Sequence, residues 1–255
     1  IKPRVQKKDM ELIVDIGNSS AKIAIFEERN IVFQDSCRND FLKPLDEIIG
    51  KYPIKRSIVS TVAGLKGKVG PQLREAGLPN VLLNDATTPE YNKRYGLPST
   101  MGSDRLGAIV AAKTKFPDRN ILVVDNGSCI TYEFISANGK YLGGNISPGI
   151  YMRLQAMHTW TSLLPLVDTE GPLPEIGYDT YTAMRSGAVN GVNHEVEGYI
   201  RHTLTKYPDL ITIVTGGAET DLSVKGAEII YDKHLVFEGL REILIDKVPD
   251  TIQTK

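Results

Sequence analysis

The stretch "LIVDIGNSSAKIAIF", residues 12–26, gives the strongest indication of the fold, because it places one carboxylate directly at the end of an apolar run. Small turn-forming residues follow Asp15 at once, and an alternating apolar segment resumes after them. Gly, Asn and Ser supply the positive-φ and small-side-chain positions that a tight turn needs. The stretch therefore predicts two antiparallel strands joined by a turn, with Asp15 beside that turn.

A second stretch, "LVVDNGSCITYEFI" at residues 122–135, repeats this pattern in the other half of the chain. When Asp15 is placed on Asp125, Gly17 falls on Gly127, and a second alternating strand follows in both copies. Two copies of one hairpin indicate a duplicated fold. We expect a third strand after each hairpin, at 30–35 and 140–146.

The segments around the two hairpins alternate between helical and strand patterns. Helices are predicted near 40–50, from Gly102, after Pro148 and over 180–204, and further strands at 56–62, 121–125 and 210–217. This alternation, present twice, predicts a duplicated α/β architecture with a cleft between the halves. The expected domains are an N-terminal extension at 1–9, a first domain at 10–119, a second domain at 120–247 and a C-terminal tail at 248–255.

Composition and charge limit the kinds of molecule that the protein is expected to bind. The 255 residues are 41% hydrophobic and 24% charged, and the net charge of −1 gives no general reason to expect nucleic acid or an anionic membrane as partner. No apolar run approaches the roughly 20 residues that span a bilayer. Cys37 and Cys129 are too few for a disulfide framework, which predicts reduced thiols and a cytoplasmic protein. We expect Met10 to be the natural start, after a basic extension.

The two Asp-led turns have a chemistry of their own. Backbone N–H groups of a Gly-Asn-Ser turn can point at an anion. A carboxylate beside such a turn would repel phosphate unless a cation lay between them. Asp15 and Asp125 are therefore predicted to be ligands or outer-shell partners of Mg²⁺, or of another hard cation, that accompanies a nucleotide. The alternative is that Asp-x-Gly is only a good turn sequence.

The segment "GSDR", residues 102–105, places a carboxylate and a guanidinium at the start of a periodic helix. In a functional reading, Arg105 holds an anionic substrate through paired N–H donors, and Asp104 accepts a proton from a substrate hydroxyl. In a structural reading, Ser103 or Asp104 caps the helix. The residues themselves leave both readings open.

Six segments, in this order, resemble the type III pantothenate kinases. They are "DIGNSS", "GSDR", "DNGSCIT", "GGNISPG", "DTYTAMRSG" and "TGG", and the resemblance extends over residues 10–245. That family belongs to the superfamily of acetate and sugar kinases, heat-shock ATPases and actin. The resemblance therefore implies two ribonuclease-H-like halves, each a mixed sheet flanked by helices, that close on ATP.

The resemblance also implies roles for particular residues. An ATP-binding segment would consist of Asp15, Ile16, Gly17, Asn18, Ser19, Ser20, Ala21 and Lys22, with Asp15 toward Mg²⁺. Ser128 would be a second ATP contact, and Asp125 would bind a monovalent cation, K⁺ or NH₄⁺. Pantothenate would be bound by Tyr95, Gly102, Ser103, Asp104, Arg105 and Thr180, with Asp104 as the proton acceptor.

The sequence departs from the family pattern in two places. Asn126-Gly127-Ser128 stands where the family usually has a small residue, Gly and Thr, although Ser128 keeps the hydroxyl for an ATP contact. Asp179 stands where the family commonly has Asn, which adds a negative charge near an anionic substrate.

The function that the resemblance implies is transfer of the γ-phosphoryl group of ATP to pantothenate, the first step of coenzyme A biosynthesis. The resemblance also implies a homodimer. One alternative keeps the fold and changes the substrate, as in a sugar or acetate kinase or a polyphosphatase. Another is a non-catalytic ATP-binding regulatory protein. "GSDR", Tyr95 and Thr180 favour pantothenate, and the Asp104–Arg105 pair favours an enzyme.

Overall fold

The computed structural model describes residues 9–17, 20–37, 42–61, 71, 73–75, 77–78, 80–83, 88–218 and 220–248. The elements before residue 120 are β1 (Met10–Ile16), β2 (Ala21–Glu27), β3 (Asn30–Cys37), α1 (Leu42–Lys51), β4 (Ile54–Thr61), β5 (Asn80–Leu82), α2 (Pro89–Tyr95) and α3 (Ser103–Lys115). Those after it are β6 (Ile121–Asn126), β7 (Cys129–Ile135), β8 (Tyr141–Pro148), α4 (Ile150–Trp160), α5 (Thr180–Lys206), β9 (Ile211–Gly216), β10 (Glu228–Tyr231) and α6 (Leu235–Lys247).

The described strands form two five-stranded mixed sheets with one plan. Their orders are β3-β2-β1-β4-β5 and β8-β7-β6-β9-β10. In each sheet the hairpin and its third strand pair antiparallel, and the next two strands continue in parallel. The predicted duplication and both predicted third strands are therefore confirmed.

The central strand of each sheet is buried on both faces. Leu12, Ile13 and Val14 in β1 have no exposed surface, and neither do residues 122–124 in β6. Such continuous apolar runs are typical of strands covered on two sides. Asp15 and Asp125 are half-buried and directly follow these runs, so each carboxylate marks the point where its strand leaves the core.

The chain divides into two compact units, and the second is a single insertion into the first. Residues up to Thr114 and from His234 onward form the first unit, and Lys115–Lys233 form the second. The predicted second domain, 120–247, does not match this division, because it included α6. That helix packs against β1 and β4 of the first sheet.

Two glycines explain how closely α6 approaches α3 in the first unit. A Cβ atom on Gly239 would stand 1.7 Å from the carbonyl oxygen of Gly107. A Cβ on Gly107 would meet the Leu240 side chain at 3.2 Å. The two helix backbones can lie this near only because both positions lack side chains.

A buried ion-pair cluster joins α6 to the sheet. The Glu11 carboxylate in β1 accepts hydrogen bonds from Arg56 in β4, with Nε at 3.1 Å, and from Arg241 in α6. Arg56 also donates through Nη1 to the carbonyl oxygen of Val248 at 2.7 Å. All three charged residues are less than a tenth exposed. The cluster therefore fastens α6 to β1 and β4 of the first sheet.

Replacing Glu11 with Ala should remove about 3–5 kcal/mol from the free energy of unfolding, because two buried guanidinium groups would lose their counter-charge. Urea denaturation followed by circular dichroism measures this loss. Asp9→Ala is the matched control: its pair with Lys55, at 3.8 Å, is exposed on both sides, and its loss should cost less than about 1 kcal/mol. Equal losses in the two variants would contradict the assignment.

Candidate functional site

The first Asp-led turn lies at the carboxyl end of β1. Asp15 pairs with Lys22 across the hairpin and with Ser60 of the parallel strand β4. The N–H of Gly17 donates to the carbonyl oxygen of Ser20 at 3.0 Å, which closes the turn. Asn18 and Ser19, two of the predicted ATP contacts, lie outside the described residues.

The second Asp-led turn has the same register in its own sheet. Asp125 pairs with Thr131 across the hairpin and with Thr215 of the parallel strand β9. The N–H of Gly127 donates to the carbonyl oxygen of Cys129 at 3.1 Å. Each carboxylate thus ends a central strand and has a hydroxyl-bearing residue beside it in the parallel neighbour, which confirms that the two turns are structurally equivalent.

The "GSDR" segment is held at the same sheet edge as the first turn. The hydroxyls of Ser60 and Ser103 lie 2.8 Å apart, and the N–H of Thr61 donates to Ser103 Oγ at 3.2 Å. Because Ser60 is the register partner of Asp15, this contact brings the start of α3 to the edge where the Asp15 turn lies. Ser103 therefore bonds to β4, and its predicted use as a helix cap is not observed.

Asp104 occupies the first turn of α3 with its carboxylate against the backbone. Its Oδ1 accepts from the N–H of Arg105 at 2.8 Å. A Cβ on Gly102 would stand 2.5 Å from that same oxygen, so the carboxylate uses the space that a side chain would fill. Both Asp104 and Arg105 are partly exposed, as groups that meet a substrate must be.

Tyr95 is the last residue of α2, and Gly96 ends that helix in the left-handed conformation. Tyr95 is nearly buried, and burial raises the pKa of its hydroxyl. The group therefore keeps its proton at neutral pH and can donate a hydrogen bond. Its helix is anchored to α6 by the Tyr91 hydroxyl, which donates to Asp246 at 2.9 Å.

Two glycine contacts support the second turn. A Cβ on Gly149 would stand 2.2 Å from the Gly127 carbonyl oxygen, and the N–H of Gly149 donates to the Ser128 carbonyl at 3.1 Å. On the other side, Gly216 has a φ of +104°, and a Cβ there would lie 2.4 Å from the Asn126 carbonyl oxygen. These contacts explain Gly149 of the "GGNISPG" segment and Gly216 of the "TGG" segment.

Asn126 belongs to the first of the two departures from the family pattern. It is wholly buried, and neither atom of its side-chain amide has a hydrogen-bond partner in the described part of the chain. Its backbone carbonyl is well used, because it accepts from the N–H groups of Gly217 and Ala218 at 3.1 Å each. Asn126 thus joins the ends of β6 and β9 through its main chain.

Asp179, the other departure, is a helix cap. Its Oδ1 accepts from the N–H and the hydroxyl of Thr182, each at 2.7 Å, at the start of α5. These bonds lower the pKa of the carboxyl group. Asp and Asn are equally good at this position, so the exchange preserves the cap. Thr180 follows it, exposed, in the second unit, whereas Tyr95 and residues 102–105 belong to the first unit.

The carboxylates suit one class of metal. Within the described residues, no group of three or more His, Cys, Asp and Glu side chains could hold an ion. A single carboxylate at each turn is instead the donor set expected for Mg²⁺, which keeps most of its waters and binds mainly through nucleotide phosphates. Asp15 and Asp125 therefore fit a cation that arrives with a nucleotide. None of the described helices is both long and apolar enough to cross a bilayer.

Comparison with known proteins places these motifs in a family. The family model for type III pantothenate kinases matches residues 11–202. The chain belongs to the type III pantothenate kinase family. A type III pantothenate kinase from Bacteroides fragilis is 43% identical over 236 residues, which are 92% of this chain and 97% of that relative.

Solved structures confirm the predicted fold class. A Campylobacter jejuni protein described as a Baf family transcriptional activator has a TM-score of 0.57 at 24% identity, over 93% of this chain and 98% of that one. The activator of the 2-hydroxyisocaproyl-CoA dehydratase from Clostridium difficile, with bound ADPNP, has a TM-score of 0.50 at 13% identity, over 93% and 95%. These likenesses show the actin-like ATPase fold.

Several supporting residues could not be identified from the sequence. The Ser60–Ser103 contact joins positions 43 residues apart. The Gly149 contact with the second turn depends on how β8 returns beside β7. Neither has a local signal, because an isolated serine or a Pro-Gly pair occurs in many unrelated loops.

Proposed function

We propose that this chain transfers the γ-phosphoryl group of ATP to the primary hydroxyl of pantothenate, which gives 4′-phosphopantothenate, the first step of coenzyme A biosynthesis. Membership of the type III pantothenate kinase family supports the substrate. The Ser60–Ser103 contact is the observation that carries the mechanism. It holds the proposed base, Asp104, at the sheet edge of the proposed phosphate turn.

The two equivalent turns are the proposed nucleotide contacts. Residues 15–22 would bind phosphate oxygens through the N–H groups of the first turn and the Lys22 ammonium. Ser128 would do so through its hydroxyl in the second turn. When bound, Mg²⁺ at Asp15 and a monovalent cation at Asp125 would neutralise part of the phosphate charge. A fold neighbour with bound ADPNP supports nucleotide binding by this architecture.

The residues of the first unit supply the chemistry in this proposal. Phosphoryl transfer depends on positioning and charge stabilisation more than on covalent help from the protein. Asp104 would orient the pantothenate hydroxyl and accept its proton as the new P–O bond forms. The bond between the γ-phosphorus and the bridging oxygen breaks, and ADP leaves. Arg105 would offset the negative charge of the substrate.

The remaining predicted contacts would fix the position of pantothenate. Tyr95 would donate a hydrogen bond through its protonated hydroxyl. Gly102 and Ser103 would approach the substrate through their backbone, and Thr180 through its exposed hydroxyl. Because Thr180 follows a capped helix start, its position is well defined by the Asp179 cap.

We also propose that the protein is a homodimer through an apolar surface of the second unit. Trp160, Leu163 and Ile176 are each more than four-fifths exposed. Tyr151, Leu166, Tyr178 and Tyr181 are each more than half exposed in the same stretch of chain. Large exposed apolar patches mark interaction surfaces. A second copy of the chain would bury this surface next to Thr180.

Replacing Asp104 with Asn should lower kcat about 10²–10⁴-fold, the usual effect of a positioned base, because the amide cannot accept the proton. A coupled assay of ADP release with pantothenate, sugars and acetate measures this and tests the alternative substrates. Asp118→Asn, at an exposed position after α3, is the matched control and should keep the normal rate. Normal turnover by the Asp104 variant would contradict the proposed role.

Replacing Asp125 with Asn should abolish stimulation by K⁺ or NH₄⁺ and leave the requirement for Mg²⁺ intact. The reason is that the variant loses the formal charge that Asp125 would offer to the monovalent ion. Initial rates with KCl, NH₄Cl and tetramethylammonium chloride at equal ionic strength provide the measurement. Equal stimulation of the variant and the original chain would refute this assignment.

Replacing Leu163 with Asp should convert the dimer to a monomer, because an unpaired charge would be buried at the proposed interface. Sedimentation equilibrium measures the mass of both forms. Val32→Asp is the control, since Val32 is a partly exposed apolar residue of β3 in the first unit and should leave the dimer intact. A monomeric original chain would overturn the proposal.

A further inference from the structure

The carboxylate of Glu195, midway along α5, accepts hydrogen bonds from three other elements. The Tyr132 hydroxyl in β7 donates to Oε1 at 2.8 Å, and the Ser147 hydroxyl in β8 donates to the same oxygen at 2.6 Å. Arg153 in α4 forms an ion pair with Oε2. Burial by itself raises the pKa of Glu195, but the hydrogen bonds from Ser147, Arg153 and Tyr132 outweigh this effect, and the net result is a lowered pKa. The group is therefore charged at neutral pH.

Two of these donors hold one short piece of chain, Ser147–Gly149, which we term the clamp segment. Ser147 is bonded to Glu195 directly. Arg153 is bonded to Glu195 and, through Nε, to the carbonyl oxygen of Pro148 at 2.8 Å. The Glu195 carboxylate therefore restrains the clamp segment at two successive residues.

The clamp segment in turn contacts the backbone of the second Asp-led turn. Gly149 donates to the Ser128 carbonyl at 3.1 Å, and the absence of a side chain lets it lie against the Gly127 carbonyl. Cys129 and Ile130 pair with Pro148 and Ser147 in the sheet. Movement of the clamp segment would therefore move Gly127 and Ser128 directly.

We propose that Glu195 is a positioning residue for the nucleotide: through the clamp segment, it holds Ser128 and the adjacent N–H groups where they meet phosphate oxygens. The inference rests on the proposed function, because it requires ATP at the second turn. Glu195 itself does not touch the nucleotide. Donors held rigidly before the ligand arrives need no reorganisation when it binds, which favours tight binding.

Glu195 differs in this respect from its neighbour Glu197, which lies two residues further along the same helix. Glu197 accepts from the N–H of Ser223 at 2.8 Å and pairs with Arg201. Its contacts are thus with the loop after β9 and with its own helix. Neutralising Glu197 removes one charge from α5 without loosening the clamp segment.

The test compares variants that each remove one hydrogen-bond donor to Glu195 or one negative charge from α5. Glu195→Gln and Ser147→Ala should each raise the KM for ATP and the Kd for ADP about tenfold, as loss of an outer-shell partner commonly does. The KM for pantothenate should change less than about twofold, because changes at independent sites have little effect on one another. Steady-state kinetics and isothermal titration calorimetry with ADP give these values.

Two controls separate positioning from stability. Tyr132→Phe removes a donor to the same carboxylate but leaves the clamp segment bonded, so it should lower Tm and leave the KM for ATP unchanged. Glu197→Gln should also leave that KM unchanged. If Glu195→Gln and Ser147→Ala lower Tm without raising the KM for ATP, the cluster is only structural and the inference is wrong. Ser147→Ala makes the smaller change, so it decides the question if Glu195→Gln does not fold.

A double-mutant cycle tests whether Glu195 affects ATP binding through Ser128. If Glu195 acts through Ser128, Glu195→Gln should raise the KM for ATP much less in a Ser128→Ala background than in the original chain. Fully additive effects would overturn this route. Failure of the proposed function has a different signature: the original chain would neither bind ADP nor phosphorylate pantothenate, which would overturn both proposals before any variant is compared.

Discussion

Each sheet is organised around a central strand that is buried on both faces and can carry charged groups only near its ends. In β1 the charged residues at the two ends satisfy this constraint in different ways. Glu11, at the amino end, remains inside and is neutralised by Arg56 and Arg241. Asp15, at the carboxyl end, lies beside a turn and is half-buried. A buried charge needs partners of this kind, because removal from water costs several kcal/mol per ion.

The same frame is used twice, but different neighbours support the two turns. In the first unit, the start of α3 is bonded to the end of β4, so Asp104 and Arg105 lie near the Asp15 turn. In the second unit, Gly149 and Gly217, which directly follow β8 and β9, donate hydrogen bonds to the Asp125 turn. The two units thus have equivalent turns but different neighbouring segments. The proposed catalytic residues lie beside the first turn, whereas the second turn has only proposed contacts with the nucleotide and a cation.

Much of the fold could be predicted because its signals are local. Both hairpins, the third strands, α3 and α5 were predicted from turn residues and from apolar periodicity. The short elements β5, α2 and β10 were not predicted, since they have three to seven residues and little periodicity. Helix α6 was missed although Leu240, Ile243 and Leu244 have helical spacing. Its return to the first unit depends on the close approach of Gly107 and Gly239, which no local pattern reveals.

The candidate site divides in the same way. The two turns, "GSDR" and the family resemblance were recognised from the sequence, because short motifs contain the residue types that binding of a phosphate or a hydroxyl requires. Asp179 was interpreted through its charge near a substrate, whereas its hydrogen bonds make it a helix cap. Glu195 has no sequence signal, since the residues that bond to it come from three separate elements.

The sequence alone showed that the hairpin occurs twice and indicated which residues to propose for the chemistry, because turn formation and apolar alternation depend on neighbours along the chain. Three features are visible only in the three-dimensional structure: the Ser60–Ser103 contact, the packing of α6 against the first sheet, and the series of contacts that leads from Glu195 to Ser128. Those contacts join residues from about 40 to more than 100 positions apart. Strand register and helix packing bring such residues together, and a linear pattern contains neither.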